Sequence, residues 1–159
     1  MADDPTLESR WRPLFRLLRR MDADIEQVYV DAGHAGVSAR HVLPLVRLAH
    51  TGPLTIRALA TECEVTHSAM SQTVAAMVRH DLVERLPDPD DGRAQRVSLT
   101  SRGREVAALG AEEWRATEAA VAELEAETEY PLSRVVHDLE QALTRRAFAD
   151  RVRSHLGPR

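Results

Sequence analysis

The chain has 159 residues, is 43% hydrophobic and carries a formal net charge of −4, which suits one domain with its own core and argues against a protein that coats nucleic acid regardless of sequence. A single cysteine, Cys63, excludes an internal disulfide framework and a CxxC zinc site. No apolar run approaches the ~20 residues that span a bilayer, and the opening MADDPTLESRWRP is acidic, so a cytoplasmic protein without a membrane partner is expected.

All 21 basic residues are arginine, a bias that suggests bacterial, GC-rich coding, and the acidity is local: residues 105–129 hold eight Glu against Arg115 alone. From Leu7 to about Tyr29, apolar residues recur at spacings of three and four, which predicts an amphipathic helix with a late start or a kink at Pro13. AGHAG, residues 32–36, breaks that pattern. Ser38 can then cap a second helix through Leu48, with Pro44 in its interior. After the HTGP loop, Thr55 can cap a short helix and Thr66 another running to about His80, with Met70, Val74 and Met77 on one face. Two short helices joined by EVT make a helix-turn-helix candidate.

LVERL and QRVSL follow, each strand-length, separated by PDPDDGRAQ. A hairpin after a helix-turn-helix is a wing, whose tip needs a cation for phosphate or a narrow minor groove; Arg93 supplies it and Gly92 permits the turn. Asp88, Asp90 and Asp91 would repel phosphates if they faced them, so they must point elsewhere. Asp91 can pair with Arg93, Arg85 or Arg96, and Asp88-Pro89 can start the turn. Thr100 can cap a long helix to about Thr128, and Pro131 separates it from a last helix, Leu132 to about Leu156.

Residues 54–106 resemble the DNA-binding core of the MarR (multiple antibiotic resistance regulator) family. Its leucine-alanine pair stands here as Leu59-Ala60, its Val-Ser/Thr turn as Val65-Thr66, and its Leu-Val-x-Arg strand as residues 82–85. Its DPxDxRA wing runs from Asp88 to Ala94 and its closing LTxxGR from Leu99 to Arg104. Each motif is weak singly, but their order and spacing are specific over about a third of the chain. Glu64 and Asp81 stand where the family often has glycine, so both positions call for a left-handed backbone. Gln72 replaces a frequent arginine, which bears on operator sequence.

The resemblance implies a mainly α fold: a winged helix-turn-helix with a two-stranded β wing and long N- and C-terminal dimerisation helices. The implied segments are 1–37, 38–104 and 105–159. It further implies an obligate homodimer that binds double-stranded, pseudo-palindromic operator DNA, usually as a repressor, released by a small anionic or phenolic effector. Within the motif, Ser68, Ser71 and Gln72 are first choices for base contacts, because glutamine can pair bidentately with adenine and serine with any base. Thr66, His67 and Arg79 lie beside them. Thr55, Arg57, Arg93 and Arg96 are candidates for phosphate, although an intramolecular ion pair serves Arg57 equally well. An effector pocket between the first, second and fifth helices would use Trp11, Arg12, Phe15, Arg16, His41 and Trp114; the alternative is that these six form the dimer core and its rim.

Met70, Val74 and Met77 are read as packing. Cys63 is read as buried, with Glu62 and Glu64 raising its thiol pKa rather than activating it. The seven histidines form no HxH, HExxH or His-Cys cluster, and no phosphate loop or nucleophile elbow occurs. No metal, cofactor or enzymatic activity is therefore expected. The rival readings are a winged helix that binds protein instead of DNA and a metal-dependent phosphohydrolase built on His80-Asp81 and His137-Asp138.

Overall fold

The computed structural model describes residues 4, 7–89 and 95–156. In chain order the elements are α1 Arg12–Asp31, α2 Ala39–Thr51, β1 Leu54–Thr55, α3 Ile56–Glu62 and α4 His67–Arg79. β2 Val83–Pro87, β3 Gln95–Leu99, α5 Ser101–Ala126, α6 Leu132–Arg145 and α7 Phe148–His155 complete them. The fold is mainly helical, with a small antiparallel sheet in the order β1-β3-β2. Two compact units, Met1–Trp114 and Arg115–Arg159, divide within α5.

Local chemistry starts most of these helices where the sequence suggests. α1 takes the late start, with Pro13 in its first turn, where proline's missing N–H costs no helical bond. α2 runs through Pro44, forgoing one bond in a helix otherwise held by its buried face of Val42, Leu45 and Leu48. The Oγ1 atoms of Thr55 and Thr66 each accept a backbone N–H three residues on, from Ala58 and Ala69, and so cap α3 and α4. Thr100 does the same for α5 through Gly103, while its hydroxyl donates to the Asp81 carbonyl at 2.6 Å.

The wing hairpin is the two strands β2 and β3, and its sheet gains a third strand, because Leu54 and Thr55 pair with Val97 and Arg96 before the chain enters α3. One expectation is corrected: the C-terminal helix expected to run unbroken from Leu132 is two helices, with Arg146 extended between them. The break is held by a side chain from the following helix: Arg151 donates to the carbonyls of Ala142 and Arg146, leaving fewer open acceptors at the end of α6.

In the first unit, Tyr29, Leu45, Leu59, Met70, Val74, Met77, Leu82 and Val97 form the centre of the core. Polar groups enter it in pairs. The Tyr29 hydroxyl donates to buried Glu113 at 3.1 Å, and burial followed by that carboxylate drives the phenol pKa up. His41, 1% exposed, accepts the Ser38 backbone N–H at Nδ1, while its Nε2 has no partner. Burial, then Arg40, His80 and Arg79, lower its pKa to about 4.

That shift sets a pH dependence. An unfolded imidazole titrates near ~6.5, so as pH falls the unfolded chain takes the proton first, and stability that is complete above that value is lost progressively towards about 4. Denaturant midpoints should decline over this window by the equivalent of roughly 3 kcal/mol. His41→Gln should flatten the decline, and a decline of equal depth in that variant would assign the acid sensitivity elsewhere.

The second unit, described by itself, has no buried residue in α6 or α7. Its turn is clasped by Glu125, whose two carboxylate oxygens accept the Ser133 N–H and hydroxyl, each at 2.7 Å. Those bonds lower the Glu125 pKa, the hydroxyl bond first.

Candidate nucleic-acid interface

The helix-turn-helix is α3 and α4 joined at Cys63–Thr66. The turn is possible because Glu64 adopts φ 54°, and the Val65 N–H returns to the Ala60 carbonyl at 3.0 Å. Asp81, which ends α4, adopts φ 56°, so both departures from glycine accept the left-handed backbone their positions call for. α4 then divides by face. Met70, Val74, Ala76 and Met77 are buried, while Thr66, His67, Ser68, Gln72 and Arg79 are exposed and Ser71 is half-buried. Ala69, exposed between Ser68 and Gln72, belongs to the same surface and carried no polar signal in the sequence.

Beside this helix stand the wing strands, paired from Val83↔Leu99 to Pro87↔Gln95. Arg57 and Arg85 are exposed, and Thr55 and Arg96 are half-buried. Arg93, Asp90, Asp91, Gly92 and Ala94 lie outside the described residues. The carboxylate that engages Arg96 is Asp88, its side chain only 8% exposed and its Oδ2 at 2.8 Å from the arginine Nε. By sequence Asp88 has only a role in the turn; the ladder brings it across the hairpin to β3.

The residues picked for an effector pocket separate by environment. Trp11, Arg12, Phe15, Arg16 and Trp114 are exposed, whereas His41 is buried against Ser38 and His80, with its ring centroid 6.2 Å from that of His80. A cavity of about 480 Å³ opens elsewhere in the first unit, lined by Val46, His50 and Pro53 beside Ser98, Arg104 and Ala108. None of the six picked residues lines it. Burial pushes the Cys63 thiol up; Arg47 opposes this and Glu62 adds to it. Among the described residues no group of three or more His, Cys, Asp or Glu could hold a metal ion, and no helix is long and apolar enough to cross a membrane.

Comparison with known proteins finds the following likenesses to this arrangement. The profile described as MarR family matches residues 35–94. The S. aureus MepR–DNA complex is similar with a TM-score of 0.64 and 19% identity, over 86% of this chain and 98% of that one. A MarR family transcription regulator is similar at TM-score 0.57 and 26% identity, covering 87% of each chain. A probable transcriptional regulator from Pseudomonas aeruginosa has a TM-score of 0.51 and 24% identity, over 80% of this chain and 93% of that one. No curated protein matches the chain.

Proposed function

We propose, from the match of residues 35–94 to the MarR family profile, that the chain is a sequence-specific DNA-binding transcriptional regulator, a homodimeric repressor relieved by a small ligand. The observation that carries the reading is α4: an apolar face locked into the core and an exposed face of His67, Ser68, Gln72 and Arg79 beside a wing. Such a helix, when it enters a major groove, meets base edges with its N-terminal residues. A similar solved protein is a DNA complex. Thr55 and Thr66 spend a lone pair on their caps yet keep a hydroxyl proton to donate to phosphate. Arg57, Arg96 and, at the wing, Arg93 supply cations. In a dimer, two recognition helices would address half-sites about one helical turn apart, roughly 10 bp.

Relief by a ligand requires a site whose occupation favours one arrangement of the lobes over another. The cavity between α2, β3 and α5 has the size for it, with Arg104 and His50 to meet an anionic group. The exposed aromatic residues Trp11, Phe15 and Trp114, with Arg12 and Arg16, remain the second candidate.

Binding to the DNA upstream of the chain's own gene, against an unrelated duplex, across about 50 to 200 mM salt, tests the central reading. A preferred site is expected, with affinity falling steeply as salt rises. Gln72→Ala should cost about 1 to 3 kcal/mol and relax discrimination at a single base position. Arg93→Ala should weaken all sequences and reduce the salt slope by about one. Equal, weak binding of both duplexes would sink the regulator claim and favour the protein-binding winged helix.

A further inference from the structure

The wing holds a half-buried ion pair to which the regulator reading gives no role. Asp88 follows β2, its side chain 8% exposed, and Arg96 lies in β3 between Thr55 and Leu86, 33% exposed. A carboxylate at the root of a DNA-binding wing is electrostatically unfavourable if it faces phosphate. Here it is turned inward and bonded at 2.8 Å to Nε, the donor nearest the arginine's aliphatic stem. A bond at Nε restrains how the guanidinium turns about that stem. Arg96 also stands beside Thr55, which caps the first helix of the helix-turn-helix, so the orientation of this cation is tied to the reading helices through the sheet.

We propose that Asp88 is a positioning residue for DNA binding: it holds the Arg96 guanidinium in the orientation in which that group meets a backbone phosphate. The proposal rests on the DNA-binding reading above and adds to it a role for the acidic wing root. Two physical accounts give opposite signs. If Asp88 were only a negative charge near DNA, neutralising it would strengthen binding, as removal of any nearby carboxylate does. If it positions Arg96, neutralising it weakens binding.

The experiment is a salt titration of duplex binding by the full chain and by Asp88→Asn, Asp88→Ala, Arg96→Ala, Asp88→Ala with Arg96→Ala, and Glu84→Gln. Glu84 is an exposed carboxylate of β2, so its variant gives the purely electrostatic baseline. Both Asp88 variants should bind about five- to tenfold more weakly, with a salt slope reduced towards that of Arg96→Ala, itself lower than wild type by about one. The double variant should be no weaker than Arg96→Ala alone. Thermal midpoints within a few degrees of wild type for Asp88→Asn keep the comparison on folded protein. Unchanged or tighter binding in the Asp88 variants, matching Glu84→Gln, overturns the proposal, as do additive losses in the double variant. A wild-type chain without salt-dependent binding overturns the DNA-binding reading itself, which separates the two failures.

Discussion

Gly103→Ala is expected to lower the stability of the fold by about 4 kcal/mol, among the largest losses a single methyl group can produce. A Cβ at this position would overlap the backbone carbonyl oxygen of Leu82 and press on Leu99. That carbonyl cannot swing aside, because it accepts the Thr100 N–H at 3.2 Å. Thr100 in turn caps α5 through the Gly103 N–H and holds Asp81. The close approach joins the segment that follows α4 to the start of α5, so its disruption acts on both. Gly110 is the control: an added Cβ there meets only the side chains of Val42, Tyr29 and Val46, at 3.1 to 3.4 Å. Alanine's helix propensity, about 1 kcal/mol better than glycine's, offsets much of that crowding. Urea titrations of the two variants should differ by about 3 kcal/mol; equal stabilities would show that the junction yields.

Where the sequence was informative, the cause of the structure was local. Thr55, Thr66 and Thr100 are hydroxyl residues ahead of apolar periodicity, and each begins a helix by accepting the backbone N–H three residues on, while Ser38 begins α2 by donating its own N–H to His41 Nδ1. Glu64 and Asp81 stand where helices end and the chain must reverse, and both adopt positive φ. The features that escaped reading depend on what a distant segment brings. β1 is two residues long and is a strand only because Val97 and Arg96 lie opposite. The break between α6 and α7 carries no glycine or proline; Arg151 makes it from the far side. The Asp88–Arg96 pair requires the register of a hairpin whose turn offers three other carboxylate-arginine pairings by sequence distance. His41 sits on a helix face that reads as partly polar, and its burial follows from packing against the end of α4. Local chemistry thus placed α4 and its exposed polar face, while the supports around it depend on tertiary contacts.

The second large effect concerns the C-terminal unit, whose helices bury nothing of their own. α6 exposes Leu132, Val135, Val136, Leu139 and Leu143 at spacings of three and four, and α7 adds Phe148, Val152 and Leu156. An exposed apolar stripe of this length marks an interface, and under the proposed reading of a regulator on a two-fold operator its natural occupant is a second copy. Leu139→Arg, in the middle of the stripe, would place a charge in that interface and leave the winged helix untouched. The variant is expected to run at half the wild-type mass in sedimentation. Its operator affinity should fall about a thousandfold, roughly 4 kcal/mol, because one half-site must then hold the protein alone. Circular dichroism should retain the α3–α4 helices, and single half-site duplexes should be bound equally by both proteins. A Leu139→Arg chain of unchanged mass and operator affinity would exclude this stripe as the dimer interface. Unchanged mass with affinity lost would instead mean that the stripe orients the two reading heads within a dimer held by other contacts, such as those of Phe15 and Leu18 on α1, both exposed.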